Sequence, residues 1–289
     1  MKICRFNEDR IGVVIDGEIA DVTAILESLG SARYPFPNHD VFIANLSRLL
    51  PDLATLSRRA QRVPLSSAML LSPVANPGKI VAAPVNYVDH LSEAINQNEL
   101  NHGSRIHRIQ TVGLFLKATS SLQGCSHGVF IEHADRRNDH EIELVAIIGK
   151  SGRNVPKERA LEYVAGYCIG LDMTVRGSED RSMRKSVDTF SVVGPWMVTA
   201  DEIPNPGTLD LCLTVNGEER QRANTKDLIL NTAELIEFAT SYYSIAPGDL
   251  IFTGTPAGVG SVRTGDRIRA EIASIGAMEV AVHEKCNIV

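Results

Sequence analysis

The sequence predicts a mixed, mainly β protein with short helices, in which a small α+β N-terminal domain precedes a larger, mostly β domain. The chain has 289 residues, 44% of them hydrophobic, which is enough for a full core and long for one domain. Residues 2–24 alternate apolar and polar positions around turn residues, a pattern typical of short antiparallel strands. The stretch 71–78, rich in Pro, Ser and Asn, reads as a linker. We therefore expect domains over 1–75 and 76–289.

The first domain should also contain a helix. Apolar residues recur at helical spacing between 38 and 60, although Pro51 should interrupt the pattern. After the linker, residues 79–83 read as a buried strand that leads into a helical stretch ending near Ala94. The polar, unpatterned residues 95–111 are expected to form a mobile loop.

The rest of the second domain reads mostly as strands. A strand over 112–117 is followed by apolar runs near 142–148 and 167–171. Asn216-Gly217 after another strand is a strong hairpin signal, and a helix is expected to begin near Thr232. The end of the chain reads as all β.

Composition and charge favour a small-molecule ligand. The net charge is −6 and the pI about 5.8, with no long basic run, so nucleic acid is a poor partner on electrostatic grounds. No stretch approaches eighteen apolar residues, and the N-terminus lacks the regions of a signal peptide, so no membrane contact and a cytoplasmic location are expected.

Five cysteines are spread along the chain without any Cys-x-x-Cys pair. An odd number with wide spacing argues against a disulfide framework and against a zinc site. We expect reduced, structural thiols, although a nucleophilic role for one of them stays open. They are Cys4, Cys125, Cys168, Cys212 and Cys286.

Two acidic residues at the start of an apolar run suggest a metal site. Glu141 and Glu143 lie two residues apart, so on a strand both side chains point to one face. Like charges that close repel unless a cation or a proton lies between them. Asp172 ends a second apolar run and adds a third oxygen donor. The alternative is that Glu141 and Glu143 form the solvated face of an edge strand.

A histidine and a glutamate suggest acid–base chemistry. If residues near 90 are helical, His90 and Glu93 lie at i and i+3 on one face and can hydrogen-bond. A carboxylate beside an imidazole orients it and raises its basicity, as a general base requires. The same pair also occurs by chance on surface helices, and that alternative stays open.

The glycine-rich segment 253–260 follows a strand. It lacks the Gly-Lys-Ser/Thr ending of a phosphate loop and opens no helix, so it does not indicate a nucleotide site. We interpret it as a tight turn beside the site that offers amide donors and the Thr255 hydroxyl to an anion.

Together these motifs give the chain a resemblance to the fumarylacetoacetate hydrolase family, over roughly residues 79–282. No single motif is specific, but their order and number are. The matching motifs are Asn86-Tyr87-x-x-His90-x-x-Glu93, Glu141-x-Glu143, Asp172-x-Thr174-x-Arg176, Lys185-Ser186-x-Asp188-Thr189, Val215-Asn216-Gly217-Glu218, Pro247-Gly248-Asp249 and Thr253-Gly254-Thr255-Pro256-x-Gly258-Val259-Gly260.

The resemblance implies a catalytic domain built as a mixed β-sandwich roll, in a homodimer that acts on a small keto acid. It implies Mg²⁺ or Mn²⁺, with Ca²⁺ able to replace them in crystals. The implied roles are metal ligands for Glu141, Glu143 and Asp172, a water-activating dyad on a lid for His90 and Glu93, an oxyanion-binding role for Lys185, and substrate contacts for Tyr87, Arg176, Gly254 and Thr255.

Three departures from the family pattern concern the substrate. Ala83-Pro84-Val85 stands where many members have Gly, which stiffens the start of the lid. The lid region is long and carries His102 and His107. Glu179 stands where some acylpyruvate-cleaving members have Gln, and its charge should discourage one more carboxylate in the substrate.

The expected activity is metal-dependent hydrolysis of a carbon–carbon bond in a 1,3-dicarbonyl acid, either an acylpyruvate or another 2,4-diketo acid. A metal chelated by the diketo acid stabilises the departing enolate while His90 with Glu93 deprotonates water. A decarboxylase, isomerase or lyase of the same family is the alternative, since these would use the metal and Lys185 without water. A non-catalytic binding protein is the remote alternative, against which the acid triad argues.

Overall fold

The fold is dominated by strands, as expected. In this computed structural model, which describes residues 1–96 and 108–284, the chain forms twenty strands and six α-helices. The strands are β1 Lys2–Phe6, β2 Arg10–Ile15, β3 Glu18–Asp21, β4 Arg62–Pro64, β5 Leu70–Leu71, β6 Ile80–Ala82, β7 Phe115–Lys117, β8 Leu122–Gln123, β9 Val129–Ile131, β10 Asn138–His140, β11 Ile142–Ile148, β12 Val164–Asp172, β13 Thr174–Val175, β14 Ser191–Thr199, β15 Asp210–Val215, β16 Glu218–Asn224, β17 Leu250–Phe252, β18 Gly260–Ser261, β19 Arg267–Ile272 and β20 Gly276–Glu284. The helices are α1 Val41–Ser57, α2 Val88–Asn96, α3 Ile109–Val112, α4 Lys157–Ala160, α5 Arg181–Lys185 and α6 Thr232–Tyr242.

Three sheets organise these strands. A twelve-stranded sheet has the order β4-β3-β2-β1-β14-β12-β11-β17-β6-β7, with β5 beside β1 and β8 beside β14. A five-stranded sheet has the order β16-β15-β19-β20-β9, and a three-stranded sheet the order β13-β10-β18. The mainly β class with short helices is therefore confirmed.

The central strand β11 is buried on both faces. Leu144, Ala146 and Ile148 belong to one apolar cluster, whereas Val145 and Ile147 belong to a second cluster on the other face. Because successive side chains of a strand point to opposite faces, a strand covered on both sides reads as an unbroken apolar run. This is why residues 142–148 carry no polar–apolar alternation beyond Glu143.

The N-terminal strands continue the large sheet. Strand β1 pairs antiparallel with β14, with Lys2 opposite Val198 and Ile3 opposite Met197. Apolar residues of α1 pack in the same cluster as residues of β11 and β12. The domain boundary near residue 75 stays a prediction, since strands from both sides of it share one sheet.

Helix α1 passes through Pro51 without a break, so the expected interruption is wrong. The N-cap Asp40 accepts a hydrogen bond from the Ile43 amide at 3.0 Å, which satisfies one of the free amides of the first turn. Leu49 and Leu53 on either side of the proline are both 0% exposed. Their burial holds the helix together despite the loss of the proline's backbone donor.

The region expected to be a mobile loop lies mostly outside the described residues, as do His102 and His107. Within the described part, residues 109–112 are helical, so the loop expectation is wrong there. Gly113 ends α3 with φ 74°, and its amide donates to the Ile109 carbonyl at 2.8 Å. Buried Ile109 anchors this short turn to the core.

Two local predictions, the hairpin turn and the helix start, are confirmed. Asn216 and Gly217, with φ of 52° and 82°, form the turn between β15 and β16. Helix α6 begins at Thr232 after Asn231, whose side chain forms a capping box with Glu234. Among the described helices, none is long and apolar enough to cross a membrane.

Candidate active site

Three carboxylates meet where β11 and β12 lie side by side. Ile142 pairs with Leu171, and the Asp172 amide donates to the Glu141 carbonyl at 2.9 Å. This register brings one carboxylate oxygen each of Glu141, Glu143 and Asp172 within 4.8 Å of one another. All three side chains are buried in the middle of the sheet, so the solvated-edge alternative is wrong.

The electrostatics of this cluster demand positive charge. Burial, and then the charge of Asp172, raise the pKa of Glu143 well above its usual range. Burial would also raise the pKa of Glu141, but the charges of Lys185 and Arg176 hold it below its usual range. Three oxygen donors converge here, and Glu143 has no ion-pair partner within the part of the chain that the structure describes. The cluster therefore fits a hard divalent cation. The role of the three as metal ligands stays a prediction.

Two buried lysines border the cluster. Lys185 Nζ donates to Glu141 at 2.8 Å, to Asp172 at 2.7 Å and to the Thr174 hydroxyl at 2.6 Å. Lys117 at the end of β7 donates to the other oxygen of Asp172 and to the Phe190 carbonyl at 2.8 Å. Lys185 therefore borders the carboxylate cluster, and its oxyanion-binding role stays a prediction. The contribution of Lys117 was missed.

Arg176 holds one carboxylate in place. Its Nη2 donates to Glu141 at 2.7 Å, and its Nε donates to Asp139 at 2.6 Å. Both hydrogen bonds join charged groups, and such bonds are shorter and stronger than hydrogen bonds between neutral groups. Arg176 also lines the cavity. It therefore both positions Glu141 and forms part of the cavity wall.

His90 and Glu93 are in contact on α2. His90 Nδ1 lies 2.8 Å from Glu93 Oε2, and Glu93 Oε1 accepts a hydrogen bond from the Gly258 amide at 3.1 Å. An ionised carboxylate can only accept, so in the neutral imidazole Nδ1 carries the hydrogen and Nε2 keeps its lone pair. His90 lines the cavity together with the carboxylate cluster, so the chance-pair alternative is not supported.

The glycine-rich turn lies beside the site, but its amides bind carboxylates of the protein. The Gly254 amide donates to Glu143 Oε2 at 2.6 Å, as the Gly258 amide does to Glu93. Gly254 has φ +97°, and a Cβ there would come within 2.7 Å of the Asn86 Cβ. Glycine is therefore required at this position, both by the positive φ and by the closeness of Asn86.

Thr255 and Tyr87 occupy different surroundings. The Thr255 hydroxyl accepts from Gln221 Nε2 at 2.8 Å, and Thr255 lines the cavity. Tyr87 is 2% exposed, and its hydroxyl has no hydrogen-bond partner within the described part of the protein. Tyr87 and Gly254 are not among the residues that line this cavity, and their role in substrate binding stays a prediction.

Glu179 is not among the residues that line the cavity, and its expected effect on a further substrate carboxylate stays a prediction. Its two oxygens accept from Arg136 Nη1 at 3.0 Å and Nη2 at 2.8 Å. The side chain of Glu179 is 37% exposed in this pair. Arg136 therefore offsets the charge of Glu179.

The cavity measures about 60 Å³. Some of the residues that line it were not predicted from the sequence. Phe115 on β7 forms one wall, and Arg181 and Arg184 of α5 form another. Arg181, Arg184 and Lys185 follow the i, i+3, i+4 spacing of one helix face. That spacing of basic residues, in a segment with many charged side chains between 176 and 185, was the available signal.

Comparison with known proteins gives several strong matches. The family model described as fumarylacetoacetate (FAA) hydrolase, C-terminal, matches residues 79–283. A maleylpyruvate hydrolase of Aquipseudomonas alcaligenes is 56% identical over 284 residues, covering 98% of this chain and 99% of the relative.

Solved structures agree over the whole length. Maleylpyruvate hydrolase from Sphingobium sp. SYK-6, crystallised with manganese(II) and pyruvate, is 41% identical with a TM-score of 0.84, covering 99% of this chain and 100% of that chain. The 5-carboxymethyl-2-hydroxymuconate delta-isomerase from Mycobacterium smegmatis is 28% identical with a TM-score of 0.71, covering 99% and 100%.

Proposed function

The chain belongs to the fumarylacetoacetate hydrolase family, and we propose that it is a metal-dependent hydrolase that cleaves an acylpyruvate of the maleylpyruvate type. The His90–Glu93 pair facing the carboxylate cluster carries this proposal. A general base is required when water must be deprotonated, and it contributes about a hundred- to ten-thousand-fold to the rate. The 56% identity to a maleylpyruvate hydrolase supports the substrate class.

The reaction begins with water held in the cavity. The cavity of about 60 Å³ exceeds the roughly 15 Å³ that one water molecule needs. His90 Nε2 takes a proton from this water, and Glu93 stabilises the imidazolium through Nδ1. The oxygen of the water adds to the acyl carbonyl carbon, and that carbonyl oxygen becomes an oxyanion.

Cleavage follows from collapse of this oxyanion. The bond between the acyl carbon and the adjoining methylene breaks, and its electron pair moves into the pyruvate half as an enolate. Protonation of the methylene carbon, for which His90 holds the proton taken from water, gives pyruvate and a carboxylic acid. Lys185 provides the positive charge beside the oxyanion, a contribution typically of about 3 to 4 kcal/mol.

Glu141, Glu143 and Asp172 would hold the divalent ion. Such an ion polarises the keto oxygen of the substrate and stabilises the enolate. The Gly254 amide and Arg176 fix the orientation of Glu143 and Glu141 before any ion binds. The oxygen-only donor set supports Mg²⁺ or Mn²⁺, and the manganese in the Sphingobium relative favours Mn²⁺.

An isomerase is the second candidate, because an isomerase of this fold is 28% identical. A decarboxylase or lyase would use the same cation site. None of these reactions consumes water, so none requires the His90–Glu93 pair to deprotonate a water molecule.

Isotope labelling separates the candidates. Purified protein with Mn²⁺ or Mg²⁺ is incubated with maleylpyruvate in ¹⁸O-water, and the products are analysed by mass spectrometry. Hydrolysis predicts equal amounts of pyruvate and maleate, with one ¹⁸O in the new carboxylate of maleate, and loss of both in His90→Ala. An isomer of the substrate or carbon dioxide as the only product would refute the hydrolase proposal.

We further propose a homodimer located in the cytoplasm, as the family resemblance and the sequence suggest. Light scattering of the purified protein tests the first part, with a mass near twice 31.4 kDa as the expected result. Cell fractionation tests the second.

A further inference from the structure

Arg181 is a half-buried cation beside the carboxylate cluster. It is the first residue of α5 and lines the same cavity as Glu141 and Asp172. Its guanidinium carbon lies 5.6 Å from the centre of the Phe115 ring. Within residues 1–96 and 108–284, it makes no hydrogen bond and no ion pair. A cation in this state is available to a ligand.

The neighbouring basic side chains are already engaged. Arg176 and Lys185 each pair with two carboxylates. Arg184 donates to the carbonyl oxygens of Glu179 at 2.8 Å and Val175 at 3.4 Å. Burial lowers the pKa of Arg181, although a guanidinium stays charged in proteins. An anion beside Arg181 would restore the solvation that burial removes.

The charge balance of the site leaves room for a dianion. Five acidic and five basic side chains either line the cavity or hydrogen-bond to a side chain that does, so a bound divalent ion would leave the site with two net positive charges. A substrate with two carboxylates supplies two negative charges. The acidic residues are Glu93, Asp139, Glu141, Glu143 and Asp172, and the basic ones are Lys117, Arg176, Arg181, Arg184 and Lys185.

The position of Arg181 indicates which end of the substrate it contacts. It precedes Lys185 by four residues, so the two lie on one helix face about 6 Å apart along the axis. Both cations lie 5.6 Å from the same Phe115 ring centre. If Lys185 faces the oxyanion at the acyl carbon, Arg181 faces a group a few atoms beyond that carbon.

We propose that Arg181 binds the second carboxylate, at the acyl end of the substrate, and so selects dicarboxylic acylpyruvates over monocarboxylic ones. The planar guanidinium suits a carboxylate because it can donate two parallel hydrogen bonds. This inference rests on the proposed hydrolase function, and it assigns to Arg181 a specificity that the carboxylate cluster cannot provide.

The test compares Arg181→Met with wild type on two substrates. Maleylpyruvate has the second carboxylate and acetylpyruvate does not. Loss of one charge-assisted pair should lower kcat/KM for maleylpyruvate about ten- to hundredfold, mainly through KM, and leave acetylpyruvate within about twofold. Arg181→Lys keeps the charge without the two-pronged geometry and should show an intermediate loss. Arg159→Met, which removes a 62% exposed arginine of a surface pair, is the control and should change neither.

Binding of the products provides a readout independent of turnover. Calorimetry with the manganese-loaded protein should show weaker binding of maleate in Arg181→Met and unchanged binding of pyruvate. Equal losses on both substrates, or equal weakening of both products, would mean that Arg181 contacts the pyruvate half or only supports the fold, and would overturn the inference. Wild-type protein that cleaves neither substrate would refute the proposed function instead, and the maleate titration would still decide the role of Arg181.

Discussion

Replacing Glu93 by glutamine should disable the enzyme by reversing the tautomer of His90. Glu93 now accepts two hydrogen bonds, one from His90 Nδ1 at 2.8 Å and one from the Gly258 amide at 3.1 Å. Glutamine has one oxygen and one NH₂ group, and the Gly258 amide requires the oxygen. The NH₂ group then points at His90 Nδ1, which must become the acceptor. The ring hydrogen moves to Nε2, and the atom that should take a proton from water is blocked.

The size of the effect follows from these contacts. Loss of the base removes about a hundred- to ten-thousandfold of the rate. The fold should suffer little, because the bond to Gly258 survives and one charge-assisted bond becomes neutral, at a cost of about 1 kcal/mol. Glu93→Ala leaves His90 free to choose either tautomer, so it should retain more activity than the isosteric glutamine.

The assay is kcat for acylpyruvate cleavage in Glu93→Gln, Glu93→Ala and wild type at saturating Mn²⁺, with metal affinity measured alongside. Glu162→Gln, an exposed acid in a surface pair with Arg159, is the matched control and should behave as wild type. If Glu93→Gln turns over within tenfold of wild type, or clearly exceeds Glu93→Ala, the tautomer argument fails.

Three further predictions concern the cation site and its support. In metal-free protein, Glu143 keeps its proton to higher pH in the folded state than in the unfolded state. The free energy of unfolding should therefore fall as the pH rises above 4.5, the ordinary pKa of a glutamate, by up to about 1.4 kcal/mol per pH unit. Mn²⁺ or Glu143→Gln should remove that fall in thermal melts, and a pH-independent melt of the metal-free wild type would contradict this. Lys185→Met should lower kcat about a hundred- to thousandfold while Mn²⁺ still binds, and a loss under tenfold would exclude an oxyanion role. Gly254→Ala should destabilise the fold by more than Gly217→Ala. The φ angle is positive at both positions, but only at Gly254 would the added Cβ meet a neighbouring atom, at 2.7 Å. Equal shifts in melting temperature would refute this.

The parts of the site that could be predicted from sequence are those set by short-range geometry. Glu141 and Glu143 share a face because of strand periodicity, and His90 and Glu93 meet because of helix periodicity. Asp172 joins the two glutamates only through the register between β11 and β12. The spacing in the sequence suggested this register, and the strand pairing determines it. Lys185 was found only through the family motif.

The parts that could not be predicted depend on contacts between distant segments. Lys117 reaches Asp172 across 55 residues, and a lysine at the end of a short strand carries no local sign of that partner. Glu179 pairs with Arg136, 43 residues away, and the sequence around Glu179 gives no sign of that partner. Pro51 did not break α1 because tertiary packing outweighed the local preference.

The pairing of β1 with β14 gives the N-terminal segment a protective role. Without it, Met197 and Val198 in a fully buried strand would present unpaired backbone groups along a sheet edge. An exposed, flat, apolar edge is a template for pairing with other chains, and proteins normally cover or charge such edges. A chain shortened to residues 76–289 would keep every proposed catalytic residue and still be prone to aggregate. Strand β1 therefore covers the edge of β14 and prevents β14 from pairing with other chains. Strand β14 lies next to β12, which carries Asp172.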